Sequence, residues 1–281
     1  MATPLAINSN VGSLVAQHNL GKAGRALNSS IEKLSSGIKI NSAADDAAGV
    51  AVAEGLRAQT QGFKQAAENA NDAVSILSTA EGAMNSISDT LVRMRELAVQ
   101  AANDSLTGTE RGYINTEFTL LAAEITRISD VSEFNGIKVL DGSAGAGSDG
   151  ALVFQVGTRS TANDRIGITL ADIDATSLAV NASAVDTLAN AQTAITSVDA
   201  AISTLATSRA TLGATMNQLT SAVDNLAVTV ENMSGALSQI LDTDVAEESA
   251  NFTKSQVLMQ AGASMLAQAN AVPNLALRLL G

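Results

Sequence analysis

The chain has 281 residues, a formal net charge of −12 and no cysteine. Because nucleic-acid binding requires clustered Lys and Arg, the acidic balance argues against a DNA- or RNA-binding surface. The lack of cysteine excludes a disulfide framework, a thiolate zinc site and a thiol nucleophile. Hydrophobic residues make up 46% of the chain and aromatic residues only 2%, so we expect closely packed helices and not a core filled by aromatic rings.

The first predicted element is a helix over residues 7–40, where apolar residues recur at helical spacing with a phase slip between His18 and Gly24. Its polar residues are mostly uncharged Asn, Ser and Gln, so we expect a helix that needs a partner to be stable. The small polar residues of 41–49 predict a connector and the first domain boundary.

A stricter heptad pattern covers residues 56–101 and contains many alanines, which favour the close approach of a second helix. Thr107 and Glu110 have the spacing of a capping box. Together with the apolar face that follows, this box predicts a third helix over residues 113–128.

Alternating patterns replace the helical ones in the middle of the chain. The pair Asn135-Gly136 is typical of a tight hairpin turn. Short strands are predicted at Ile137–Leu140, Leu152–Val156 and Ile166–Leu170, separated by loops rich in Gly and Ser.

The longest pattern lies between Leu188 and Ile240. Of 16 positions spaced alternately three and four residues apart, 15 are apolar and only Arg209 is not. Such spacing places these side chains on one seam of a helix roughly 80 Å long, which must be covered by a partner. After a break at residues 242–244, the tail over residues 245–281 is again amphipathic and helical.

These elements predict a mainly α fold. Long antiparallel heptad helices form a coiled-coil rod or bundle, with a small β-hairpin region at about 134–172 in the middle of the chain. The chain runs out and returns, so the two long seams cover each other and the third helix joins the bundle.

No catalytic constellation is visible in the sequence. His18 is the sole histidine and is expected to be a polar residue on a helix face. The adjacent pairs Asp45-Asp46 and Glu247-Glu248 diverge on a helix and are poor acid–base dyads. The glycines of residues 142–150 do not open a helix after a strand, as a dinucleotide loop does. We therefore expect no enzyme, no cofactor and no metal site.

The sequence also bears on compartment. No apolar run approaches the ~18 residues of a membrane span, so no membrane insertion is expected. Residues 1–5 lack the basic and apolar regions of a cleaved signal peptide, which predicts secretion by another route if the protein leaves the cell.

Both terminal helices have apolar faces that would stay in contact with water in a lone subunit. Such faces favour self-association of the paired ends into an open fibre. The candidate polymerisation residues are Ile7, Val11, Leu14, Leu27, Ile31, Leu34, Phe252, Val257, Leu266, Leu275 and Leu279.

Motifs along the chain resemble bacterial flagellin. They are Ile7-Asn8-Ser9-Asn10, Leu34-Ser35-Ser36-Gly37, Ile40-Asn41-Ser42-Ala43, Asp45-Asp46-Ala47-Ala48-Gly49, Arg95-Glu96-Leu97-Ala98-Val99-Gln100, Phe134-Asn135-Gly136 and Leu266-Ala267-Gln268-Ala269-Asn270. The match covers residues 5–140 and 188–280 in collinear order. The roughly 50 residues between the matching halves are too few for the additional outer domains of larger family members.

The resemblance implies an inner-tube domain made of the paired terminal helices, residues 1–43 and 242–281, and an outer helical domain, residues 44–241. It implies an extracellular structural subunit that polymerises into the flagellar filament for motility. The implied partners are further copies of the chain, an export chaperone on the C-terminal helix, the filament cap and the hook–filament junction proteins. Export would use a flagellar type III apparatus without a cleaved signal peptide.

The resemblance also implies recognition of the free monomer by the innate receptor TLR5. The family's contact residues correspond to Arg93, Leu97, Gln100 and Glu117 in this chain. The heptad positions predict that the first three form a stripe beside the core seam. The same stripe is also expected to be a contact between filament subunits.

Two alternatives stay open at this point. A hook–filament junction protein shares the design of the terminal helices but would be present in few copies. An intracellular coiled-coil signalling hairpin is disfavoured, because the return tip of this chain contains strands and Gly-rich loops.

Overall fold

The computed structural model describes the backbone of residues 9–279 and the side chains of residues 9–271. Long helices dominate this part of the chain, as expected for a mainly α fold. They are α1 (Val11–Ser36), α2 (Ala47–Ala101), α3 (Gly108–Val131), α4 (Leu188–Leu241) and α5 (Val245–Leu279). The strands are β1 (Glu133–Phe134), β2 (Ile137–Lys138), β3 (Ala151–Gln155) and β4 (Arg165–Thr169).

The capping box predicted for α3 is confirmed. The Glu110 backbone N–H donates to the Thr107 hydroxyl at 3.4 Å, and the Thr107 backbone N–H donates to the Glu110 carboxylate at 2.7 Å. These bonds satisfy N–H groups that have no partner within the helix. The break before α5 is also confirmed, since Asp244 accepts hydrogen bonds from the backbone of the first turn.

The strands form two separate antiparallel hairpins. In the first, Phe134 pairs with Ile137 around the Asn135-Gly136 turn, and both turn residues have positive φ, of 51° and 78°. That backbone conformation suits Asn and Gly and confirms the predicted turn type. In the second hairpin, β3 pairs with β4 over five residues on each strand. The strand predicted over Ile137–Leu140 is shorter than expected, because pairing ends at Lys138.

The chain divides into two compact units. One comprises Met1–Ala58 with Asn232–Gly281, and the other comprises Gln59–Glu231; we call them the terminal unit and the central unit. The boundary at residues 58/59 therefore falls inside α2, and the boundary at residues 231/232 falls inside α4. Neither lies in a loop that connects two helices.

The central unit has one continuous hydrophobic core, to which α2, α3, α4 and the second hairpin contribute. Its largest fully buried side chains include Phe118 from α3, Leu77 and Ile87 from α2, and Leu205 and Leu212 from α4. The long α4 seam is buried or half-buried along this unit, as the heptad pattern predicts.

Ion pairs show the direction and register of the long helices in the central unit. Arg95 of α2 lies 2.6 Å from Asp199 of α4, and Glu81 lies 3.9 Å from Arg209. Lower residue numbers on α2 are thus matched to higher numbers on α4, so the two helices run antiparallel. Arg209, the one polar residue of the α4 seam, therefore has a carboxylate partner on α2.

In the terminal unit, α1 and α5 pack antiparallel. The Asn10 side-chain amide donates to the Ala269 carbonyl at 2.9 Å, and Lys33 lies 3.9 Å from Glu248. Gly262 allows this close packing, since a Cβ there would meet the Leu20 side chain at 3.3 Å. The phase slip expected between His18 and Gly24 does not interrupt the helix, since α1 is continuous over Val11–Ser36.

Candidate functional site

No catalytic or metal site is evident in the described part of the chain. Residues 9–279 contain no group of three or more His, Asp or Glu side chains placed to hold a metal ion. Among these same residues, no helix is long and apolar enough to cross a membrane. The candidate residues named from the sequence lie on two surfaces, one on each compact unit.

The first surface belongs to the terminal unit, where the candidate polymerisation residues divide into two groups. Four of them are half-buried: Leu27, Leu34, Phe252 and Leu266. Four others are exposed: Val11, Leu14, Ile31 and Val257. Ile7 and the side chains of Leu275 and Leu279 lie outside the described residues.

Small polar side chains occupy much of the contact between α1 and α5. Ser13 and Ser30 on α1 and Ser255 on α5 are buried, whereas Leu14, on the same helix as the first two, is 72% exposed. An ordinary surface helix buries its large apolar side chains and exposes its serines. Here part of that arrangement is reversed, so the pair retains a large apolar surface that a second contact could cover.

A groove runs along one side of this pair. It has a volume of about 780 Å³, and small residues such as Ala16, Ala23 and Gly262 contribute to its lining. Val15 on α1 and Leu258 and Met265 on α5 also line it, and all three are exposed, with Met265 at 65%.

Sequence reasoning missed these three residues because it followed one apolar face per helix. A search of the sequence for apolar residues next to that face would have found them, since each neighbours a candidate residue in the chain.

The second surface belongs to the central unit. The Arg93 guanidinium of α2 donates hydrogen bonds to Glu117 of α3 at 2.8 Å and to Glu96 at 3.0 Å. The hydrogen bond to Glu117 has the larger effect and the one to Glu96 the smaller, and both raise the pKa of Arg93 above its ordinary value. Arg93 is therefore cationic at any physiological pH. Both ends of the pair remain about half exposed, which leaves them available to a partner.

The four candidate receptor residues do not form a single exposed stripe. Arg93, Glu117 and Gln100 are on the surface, but Leu97 is 2% exposed and belongs to the core. The predicted position of Leu97 beside the seam is therefore wrong. In a coiled coil of two helices, the heptad position of Leu97 lies at the edge of the core. Here α3 also packs against α2, so Leu97 is buried in the core.

Comparison with known proteins gives consistent matches. The family description for the bacterial flagellin N-terminal helical region matches residues 7–145, and the one for the C-terminal helical region matches residues 195–280. The flagellin of Halalkalibacterium halodurans is 39% identical over 274 residues, which cover 98% of this chain and 99% of that protein. The flagellin of Xenorhabdus nematophila is 42% identical over 315 residues, with 98% of each chain covered.

Among solved structures, the crystal structure of Bacillus cereus flagellin is similar at 34% identity and a TM-score of 0.49. The similar region covers 60% of this chain and 94% of that one.

Proposed function

The chain belongs to the bacterial flagellin family, and we propose that it polymerises through the exposed apolar side chains of its paired terminal helices. As a flagellin, it is a structural protein of the extracellular flagellar filament and not an enzyme. The observation that carries the proposal is the exposure of large apolar side chains on α1 and α5, although the two helices already pack against each other.

Energetics support this assignment of the contact. Burial of one side chain of the size of Met is worth about 1.5–3 kcal/mol. Several such side chains lie together on the terminal unit, so covering them by neighbouring subunits provides a strong driving force. We assign residues 1–43 and 242–281 to the inner tube of the filament and residues 44–241 to its outer helical wall.

A point substitution tests the role of the terminal pair. We expect Met265→Ser to keep the helical circular dichroism of the monomer and to raise the critical concentration for filament growth about tenfold or more. Val153→Ser is the matched control, since Val153 is similarly exposed but lies on β3 of the central unit. An equal effect of the two substitutions would contradict a special role for the terminal helices.

The same apolar surface supports the proposed partners. Before assembly, Val257, Leu258 and Met265 of α5 are exposed, and a chaperone on the C-terminal helix would keep them from aggregating. We assign export to the flagellar type III route, with growth beneath a filament cap and attachment through hook–filament junction proteins. The full-length matches to flagellins favour the main filament subunit over a junction protein, and the mass of the bulk subunit in isolated filaments would test this.

We also propose that the free monomer is recognised by TLR5 through the surface around Arg93. The observation that favours this second role is the exposed ion pair between Arg93 and Glu117, near which Gln100 is also exposed. Leu97 would act from the core by supporting this surface and not by direct contact. A reporter cell line that expresses TLR5 would test the proposal, and monomers should activate it more than intact filaments.

A further inference from the structure

The groove between α1 and α5 is lined mostly by small or apolar side chains. Lys22 is the one charged residue in its lining. Its volume of about 780 Å³ is in the range that accepts several large side chains of an inserted helix. Its exposed members Val15, Leu258 and Met265 would be desolvated by such an insertion.

We propose that this groove receives an apolar ridge from a second copy of the chain, formed by Val11 and Leu14 of that copy's α1. This inference rests on the proposed role of the terminal pair in polymerisation. It adds which two surfaces meet, namely the groove of one copy and the ridge of the next. A concave surface lined by small side chains does not complement itself, so two copies cannot close groove to groove. The contact is therefore heterologous and can continue from copy to copy.

The choice of ridge follows from exposure and spacing. Val11 and Leu14 are three residues apart on one turn of α1, and both are more than half exposed. Neither lines the groove of its own chain. The other large apolar side chains of the terminal unit that are exposed and lie outside the groove, Ile31, Val52, Val245 and Val257, are separated from one another along the helices.

Charge supports a second copy of the chain as the occupant at this unit. The terminal unit has eight acidic and seven basic residues, whereas the central unit has 20 acidic and nine basic residues. Two copies of a nearly neutral unit can approach closely with little repulsion, which strongly acidic units cannot do.

Because the chain has no cysteine, a single introduced thiol reports on the groove directly. Ala261 lines the groove and is exposed, and Ala267 on the same helix is exposed but does not line it. In monomers, Ala261→Cys and Ala267→Cys should react with a maleimide at similar rates. In filaments of purified protein, the rate for Ala261→Cys should be at least about tenfold lower than in monomers. The rate for Ala267→Cys should fall by a smaller factor.

A mixture of two variants tests the identity of the ridge. Filaments grown from equal amounts of Ala261→Cys and Leu14→Cys chains should give a covalent dimer with a short bismaleimide. Val11→Cys provides a second ridge position in case Leu14→Cys enters filaments poorly. Ala267→Cys in place of Ala261→Cys should give about tenfold less dimer.

Two results would overturn the inference. Equal labelling of Ala261→Cys in filaments and monomers would show that the groove stays open. No dimer with either ridge variant, in filaments that contain both chains, would show that another segment fills it. Either result would leave the polymerising role of the terminal helices intact, since that role is tested separately by deleting them.

Discussion

Arg93 and Glu117 are 24 residues apart in sequence, yet two nitrogens of the Arg93 guanidinium donate to one carboxylate oxygen of Glu117, at 3.0 and 2.8 Å. The antiparallel turn between α2 and α3 brings them together. Arg111 stabilises this turn, because its guanidinium donates to the Ala101 and Asn103 carbonyls at 2.9 Å each. The surface that we propose for the receptor would thus depend on the exposed pair and on the buried Arg111 behind it.

Arg93→Ala tests the exposed pair. We expect the thermal midpoint to stay nearly unchanged, because both partners are exposed and such pairs contribute little to stability. Activation of a TLR5 reporter by the monomer should fall about tenfold or more, as for truncation of an interface hot spot. Arg127→Ala on α3 is the control, since Arg127 forms an exposed pair with Glu124 on its own helix. Full activity of Arg93→Ala would remove Arg93 from the site.

Arg111→Ala tests the clamp. The substitution leaves the two carbonyls at the end of α2 without their charged donor, so we expect a loss of about 2–3 kcal/mol in the free energy of unfolding. Urea denaturation of the monomer would measure it. Arg111→Lys should recover only part of the loss, because an ammonium cannot reproduce the two diverging donors. A stability equal to that of the parent chain would contradict the clamp.

Arg209→Leu is expected to leave the thermal midpoint unchanged or to raise it. The Arg209 Nε is buried without a hydrogen-bond partner, and the contact of this side chain with Glu81 is long, at 3.9 Å. An apolar residue at this seam position removes the buried, unpaired Nε–H and extends the heptad. Arg95→Leu is the contrast, since it breaks a 2.6 Å contact with Asp199 and should not stabilise. A drop of several degrees in Arg209→Leu would be inconsistent with this explanation.

The capping box predicts a dependence of stability on pH. The Thr107 backbone N–H and then its hydroxyl donate to the Glu110 carboxylate and lower the pKa of that group. A lowered pKa in the folded state adds stability at neutral pH. That stability is lost as the pH falls from about 4.3, the ordinary pKa of Glu, through the lowered value.

The expected measurement is therefore a pair of pH curves. Glu110→Gln should melt at a lower temperature than the parent chain at about pH 7, and the difference should shrink as the pH falls below about 4.3. A difference in melting temperature that stays constant over this range would show that the carboxylate charge has no role in the cap.

Local patterns in the sequence are sufficient to predict much of the fold. The α4 seam, the Thr107–Glu110 box and the Asn135-Gly136 turn each depend on residues close in sequence, and all three are confirmed. The burial of Leu97 could not be predicted in this way. It depends on α3 covering a flank of α2, which is a tertiary choice that a heptad pattern does not encode.

The terminal helices show the same limit. Leu27 and Leu14 are the same residue type on the same helix, yet Leu27 is half-buried and Leu14 is exposed. Ser13 and Ser30 are buried on α1, and Gly262 on α5 lies close to Leu20, so small residues permit the close approach of the two helices. An analysis of apolar periodicity does not consider these small residues. It therefore cannot distinguish the side chains that pack between α1 and α5 from those that remain exposed.

Electron microscopy of the fragment 44–241 beside the full chain tests the central claim most directly. The fragment keeps the whole central unit and lacks α1 and α5. We predict that it is soluble, largely helical and cooperative in melting, and that it forms no filaments at concentrations where the full chain does. Filaments grown from the fragment alone would contradict the assignment of polymerisation to the terminal helices.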